Sequence, residues 1–342
     1  MQWKLAPKAR VAERIHRAML RGGFPLLLHV ARLLPRRVLH ANAGWVFAVI
    51  MAVYPGPKSR IDRNLARILD LPADAPAVRA TRRRMLRNFA LSWTDLFHFA
   101  QRSLTALETH VAGVHGWHHV EAAHDAGRGA LLMTAHIGAW EVGGLLLGRG
   151  DDGSTLGDLP VSVIYVPDRF AVAERFRSRL RRAGSQLEEI PLTPGAPLAS
   201  LPVLRAVRAG RLVALQGDRD FTERGPLLDF FGAPTPFPAG PFALARMTGA
   251  PLIPFYVLYD DHHRFTLRFD APLMNGPGDP AATQDPAAAR AARRRQPADD
   301  PAIRAAMQRW ADQLGAQITA HPDQWYTFYD VWADAARRAG DA

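Results

Sequence analysis

An apolar run from Leu131 to Ala135 ends on His136, and a carboxylate, Glu141, follows five positions later. A strand that stops at a histidine presents the imidazole at a sheet edge, where the active sites of open α/β folds collect. Gly138 allows a sharp turn after the strand, and the residues from Trp140 to Leu147 then read as the start of a helix. A general base and the acid that orients it need this arrangement, and the chemistry it suits is removal of a proton from a hydroxyl. With 13 histidines in the chain, about one His-x4-acid match arises by chance, so the spacing alone decides little. The context of strand, glycine turn and helix separates this HX4E match from a core histidine bonded to nearby backbone.

A second block, Gln216 to Gly225, follows another apolar run. Asp218, Arg219 and Asp220 should leave the sheet at the same edge as His136. Arg219 and Arg224 could hold a phosphate or carboxylate bidentately; the competing reading is a salt-bridged surface loop. Gly240 and Pro241 form a helix start with proline at its first turn, which would offer amide donors to an oxyanion or phosphate. Five histidines between His110 and His124 lack further ligands at zinc spacing, so no metal is expected. The chain has no Gly-x-Ser-x-Gly elbow, P-loop or dinucleotide fingerprint. With no cysteine, thiolate chemistry and disulfides are excluded.

These residues need a scaffold, and 342 residues with 48% hydrophobic content suffice for one large or two modest domains. Residues 1–110 read as a helical region, with its membrane-interface part at about 1–57. Residues 111–332 read as an α/β domain in which short apolar strands alternate with helices. Strands are expected at 130–135, 161–166, 211–216, 251–258 and 265–269, with helices at 171–183, 201–209, 241–248 and 303–320. That alternation predicts a mixed, mostly parallel sheet flanked by helices. Residues 276–300, rich in Pro, Ala and Arg, read as a disordered insertion, and residues 333–342 as a tail.

Lys and Arg outnumber Asp and Glu 43 to 32, giving a net charge of +11 and pointing to an anionic partner. No apolar run reaches the roughly 18 residues of a spanning helix. Residues 1–37 carry nine Lys/Arg against the single acid Glu13, interleaved with apolar residues. This suits an interfacial helix on an anionic membrane surface; a solvated helix capping the core is the alternative, and the apolar stretch to Tyr54 favours the membrane. Basic and aromatic residues do not interleave as a nucleic-acid platform would require, although a basic nucleic-acid-binding protein remains the competing class.

The segments Val114 to Val120 and Gly129 to Glu141 resemble the first block of the bacterial lipid A late acyltransferases, within the lysophospholipid acyltransferase superfamily. The similarity continues through Tyr165, Asp218 to Asp220, Phe230 to Gly232, Pro238 to Pro241, Thr248 to Pro254 and His321 to Trp325. Phosphatidylinositol mannoside acyltransferases are also similar. The resemblance implies transfer of a fatty acyl group from an acyl carrier protein or acyl-CoA to a hydroxyl of a membrane glycolipid. It implies a location on the cytoplasmic face of the inner membrane, peripheral or monotopic, and no cofactor. It makes His136 the base and Glu141 its orienting acid. Substrate contacts then fall to Gly138, Trp140, Arg179, Arg181, Asp218, Arg219, Asp220, Arg224 and Gly240. Ala139 stands where the lipid A enzymes usually carry asparagine.

Overall fold

The computed structural model describes residues 22–53, 56–127, 129–147, 159–165, 187–192, 200–221, 225–274 and 300–333. Among the described residues five helices come first: α1 (Phe24–Leu33), α2 (Arg36–Val53), α3 (Gly56–Leu69), α4 (Pro76–Phe99) and α5 (Leu104–Glu108). There follow β1 (Val111–His115), α6 (His118–Asp125), β2 (Ala130–Thr134), α7 (Trp140–Leu147), β3 (Val161–Tyr165), β4 (Glu188–Pro191), α8 (Leu201–Arg208) and β5 (Leu212–Gln216). The hairpin β6 (Leu227–Phe230) and β7 (Ala233–Pro236) precedes α9 (Gly240–Thr248), β8 (Leu252–Tyr259), β9 (Phe265–Phe269) and α10 (Pro301–Ala320).

Among the described residues the main sheet has the order β1-β9-β8-β2-β5-β3-β4. Strands β8, β2, β5, β3 and β4 run parallel, while β9 turns back antiparallel to β8 and carries β1 with it. The mixed, mostly parallel α/β sheet anticipated from the alternation is therefore present. Strand β2 lies at its centre with every residue buried, as a strand covered on both faces must be. Its side chains divide between two cores: Ala130 and Leu132 join α4 and α7 on one face, and Leu131 and Met133 join α8, α9 and α10 on the other.

Strands β1, β4, β6 and β7 were not anticipated. Each has only four or five residues and a mixed burial pattern, so none leaves a continuous apolar run or a clean alternation. The helix expected at 171–183 and the insertion at 276–300 lie outside the described residues, apart from Asp300. That residue caps α10 by accepting from the backbone N–H groups of Ala302 and Ile303, as an N-terminal aspartate should.

The helical region does not stand apart from the sheet. Ala31, Ala43, Leu91 and Phe97 share one core with Leu132 and Val257. Arg36 donates to both oxygens of the buried Asp95 at 2.8 and 2.7 Å, His40 lies 2.7 Å from the same carboxylate, and the Tyr259 hydroxyl donates to it at 2.9 Å. Helices α1 and α2 nonetheless turn Leu26, Leu33, Val38 and Trp45 outward, Trp45 at 71% exposure. One flank of these helices caps the core, as the alternative reading of this region expected, while the other offers apolar side chains; residues 1–21 lie outside the described residues. Among the described residues, no helix is long and apolar enough to cross a membrane.

Candidate active site

The site forms where β2 and β5 end together. The two strands are parallel neighbours in register, Thr134 opposite Gln216, so the residues two positions beyond, His136 and Asp218, leave the sheet side by side. Adjacent strands stand about 4.8 Å apart, a spacing an imidazole and a carboxylate can bridge. The His136 Nδ1 lies 2.8 Å from Asp218 Oδ1, and the His136 backbone N–H donates to Oδ2 at 3.1 Å. Trp325 Nε1 donates to Oδ2 at 3.3 Å. An ionised carboxylate only accepts, so Nδ1 carries the proton and Nε2 is the basic nitrogen.

Burial alone would raise the Asp218 pKa. The attraction and hydrogen bond of His136, the charge of Arg219 and the His136 amide outweigh it and hold the carboxyl well below the ordinary range. Asp218 thus remains charged at neutral pH with its side chain fully buried, while the His136 side chain keeps 15% of its surface open.

The turn bearing His136 is held from two sides. The Gly138 amide donates to the Gln324 carbonyl and the Tyr326 amide to the His136 carbonyl, both at 2.8 Å. Ile137 bridges Trp325, and the Ala139 amide donates to the Val257 carbonyl at 2.7 Å. Gly138 adopts φ +60°, and a Cβ there would fall 2.0 Å from the Val257 carbonyl oxygen, so only glycine fits. Trp140 then opens α7 with its ring edge-on to His136 at 5.5 Å and tilted against Tyr326 at 5.7 Å.

The acid on Nδ1 is therefore Asp218, expected from the resemblance at the substrate, and not Glu141. Glu141 sits half-buried in the first turn of α7. Arg219, read as a phosphate clamp, donates to the Tyr326 carbonyl at 3.0 Å and lies over the Tyr329 ring at 5.1 Å. Asp220 accepts from the Gly225 amide at 2.7 Å and so braces its own loop. Gly240 opens α9 with Pro241 in the first turn. Because α9 runs back to feed β8, that N-terminus faces the carboxyl edge of the sheet. Arg179, Arg181 and Arg224 lie outside the described residues. Sequence reasoning missed the contribution of Gln324, Trp325 and Tyr326. The available signal was the dense aromatic run near the C-terminus, too apolar for an exposed tail.

Comparison with known proteins follows the same residues. The profile of the bacterial lipid A biosynthesis acyltransferases matches residues 24–333. A phosphatidylinositol mannoside acyltransferase from Mycobacterium tuberculosis is 29% identical over 299 residues, covering 85% of this chain and 82% of the relative. One from Mycolicibacterium smegmatis is 27% identical over 281 residues, covering 81% and 80%.

Proposed function

The chain belongs to the bacterial lipid A biosynthesis acyltransferase family, and from that premise we propose that it moves a fatty acyl group from a thioester donor to a sugar hydroxyl of a membrane glycolipid, with His136 as general base. Its activity class, acyltransferase, follows from membership and from the mannoside acyltransferase relatives. The observation that carries the mechanism is the 2.8 Å contact between His136 Nδ1 and the buried Asp218.

In the proposed reaction Nε2 takes the acceptor hydroxyl proton as its oxygen attacks the thioester carbonyl. The C–S bond then breaks, and the departing thiolate receives the proton from the imidazolium. General-base catalysis of this kind contributes about 10²–10⁴-fold. Asp218 fixes the tautomer and favours the imidazolium, as the acid of a Ser-His-Asp arrangement does. The acyl group passes directly, since cysteine is absent and no serine stands in a nucleophile elbow. Glu141, next to the Trp140 that touches the imidazole, is assigned a positioning role at the start of α7. The donor is an acyl carrier protein or coenzyme A thioester, and Arg179, Arg181 and Arg224 are its proposed phosphate contacts.

The test is incubation of the protein with labelled acyl-CoA and acyl carrier protein thioesters and two acceptor panels, lipid A precursors and phosphatidylinositol mannosides. Mass spectrometry should find one panel acylated on a sugar hydroxyl. The mannoside relatives give the second panel equal standing with the first. His136→Ala should abolish transfer while leaving the circular dichroism spectrum unchanged; wild-type turnover by that variant would defeat the assignment.

A further inference from the structure

Beyond the carboxyl end of β8, one strand across from His136, lies a cavity of about 520 Å³ whose walls carry Arg36, Arg37, Arg87 and Arg264. It is formed by α2, α4 and the turn between β8 and β9. Two of these cations are neutralised in place: Arg36 by Asp95 at 2.7 Å and Arg264 by Asp260 at 3.0 Å. Among the described residues, Arg37 and Arg87 have no carboxylate partner. His40 and His263 complete the wall between them, their rings edge-on at 5.8 Å. The pKa of His263 is lowered first by burial, then by Arg87, His40 and Arg36, against the opposing pull of Asp95. Among the described residues the cavity therefore holds two cations without a carboxylate, a condition an anion relieves.

Its rim identifies the anion's source. Ala41 lines the cavity and is three residues from Val38 and four from Trp45, so all three share one helical stripe. Val38 is 43% and Trp45 71% exposed, and Leu33 at the corner between α1 and α2 is 66% exposed. An apolar stripe bordering a basic pocket matches a lipid, with acyl chains beside the helix and phosphate beneath it. A freely soluble phosphate would gain nothing from the stripe.

We propose that this cavity is a headgroup site for an anionic membrane lipid, in which Arg37 and Arg87 hold the lipid phosphate while Val38 and Trp45 enter the acyl region. Arg36, fixed by Asp95, forms the cavity floor. Occupancy sets the carboxyl edge of the sheet, and with it His136, against the bilayer surface. The inference shares with the proposed function only the presence of a bilayer and does not depend on acyl transfer.

The experiment measures binding of the full chain to phosphatidylcholine vesicles with and without 30 mol% phosphatidylglycerol (about a third, enough to give a strong surface potential), with no donor or acceptor present. Arg37→Gln/Arg87→Gln should weaken binding to the anionic vesicles by about 30-fold, as two juxtamembrane cations predict. Ala41→Glu, which places a carboxylate at the mouth from an exposed position, should act in the same direction. The control Arg205→Gln/Arg208→Gln removes the same charge from α8, on the opposite sheet face, and should lose under about 3-fold. Equal losses for both pairs would overturn the site in favour of diffuse attraction. Inorganic phosphate and coenzyme A are titrated in parallel without vesicles. Pocket-dependent binding of either, with vesicle affinity unchanged in the variants, would assign the cavity to a soluble ligand and refute the proposal. A chain that binds vesicles through this pocket yet transfers no acyl group would defeat the proposed function alone.

Discussion

A carboxylate two residues past one strand and a histidine two residues past its neighbour meet because the strands are parallel and in register. At that scale the two candidate acids, Asp218 and Glu141, separate by experiment. Asp218→Asn replaces a charged acceptor with an amide that can present its NH₂ to Nδ1 and favour the wrong tautomer, so kcat should fall by about 10²-fold or more. The fall should appear in kcat rather than KM, with circular dichroism checking that the variant is folded. Glu141→Gln keeps size and hydrogen bonding and should reduce kcat by a smaller factor. The opposite ranking in steady-state kinetics would return the orienting role to Glu141. The sequence displayed every residue in this contest: His136, Glu141 and Asp218 were all singled out. What it withheld was that β2 and β5 are neighbours, because pairing of parallel strands joined by a long connection leaves no local pattern.

Elements position these groups through backbone more than through side chains. The turn at Gly138 combines a left-handed conformation with close approach to Val257, so Gly138→Ala should abolish activity and lower the melting temperature markedly, with strain alone costing about 1–3 kcal/mol. Gly240→Ala is the matched contrast: a Cβ there meets nothing within 4 Å, and its effect on stability should be within about 0.5 kcal/mol by thermal melting. The C-terminal segment is the second device. Gln324 accepts from the Tyr259 amide and donates to its carbonyl, both at 2.9 Å and buried. Gln324→Ala orphans both groups and should destabilise by about 2–4 kcal/mol. Hydrogen exchange should then rise at Gly138, whose amide donates to the Gln324 carbonyl. Secondary structure was legible where elements were long or fully apolar, as at β2, β8 and α10. It was not legible for β1 and β4, which become strands only by pairing with an edge.

Over the whole molecule, Asp95 joins the N-terminal helices to the sheet. Burial raises its pKa, but hydrogen bonds from Arg36 and His40 and their charges outweigh that and depress it below the ordinary 3.8. A depressed carboxyl stabilises the fold fully above its unfolded value and loses that contribution as pH falls through its folded value. Asp95→Asn should therefore cost about 3–5 kcal/mol in urea melts at neutral pH, and the gap from wild type should narrow below pH 3.8. A gap that persists unchanged at lower pH would refute the ion pair as the source of stability.

By itself the chain determined its class of chemistry, its mostly parallel sheet, its basic character and its family. Apolar runs, glycine turns and charge are local properties, written wherever a segment must be buried, bent or solvated. Tertiary structure alone decided which acid holds His136, that Gln324 to Tyr326 clamps the turn, and that Arg37 and Arg87 face a common cavity. Each of these joins residues distant along the chain, and only packing of the completed sheet and its helices brings them within hydrogen-bonding or Coulombic range.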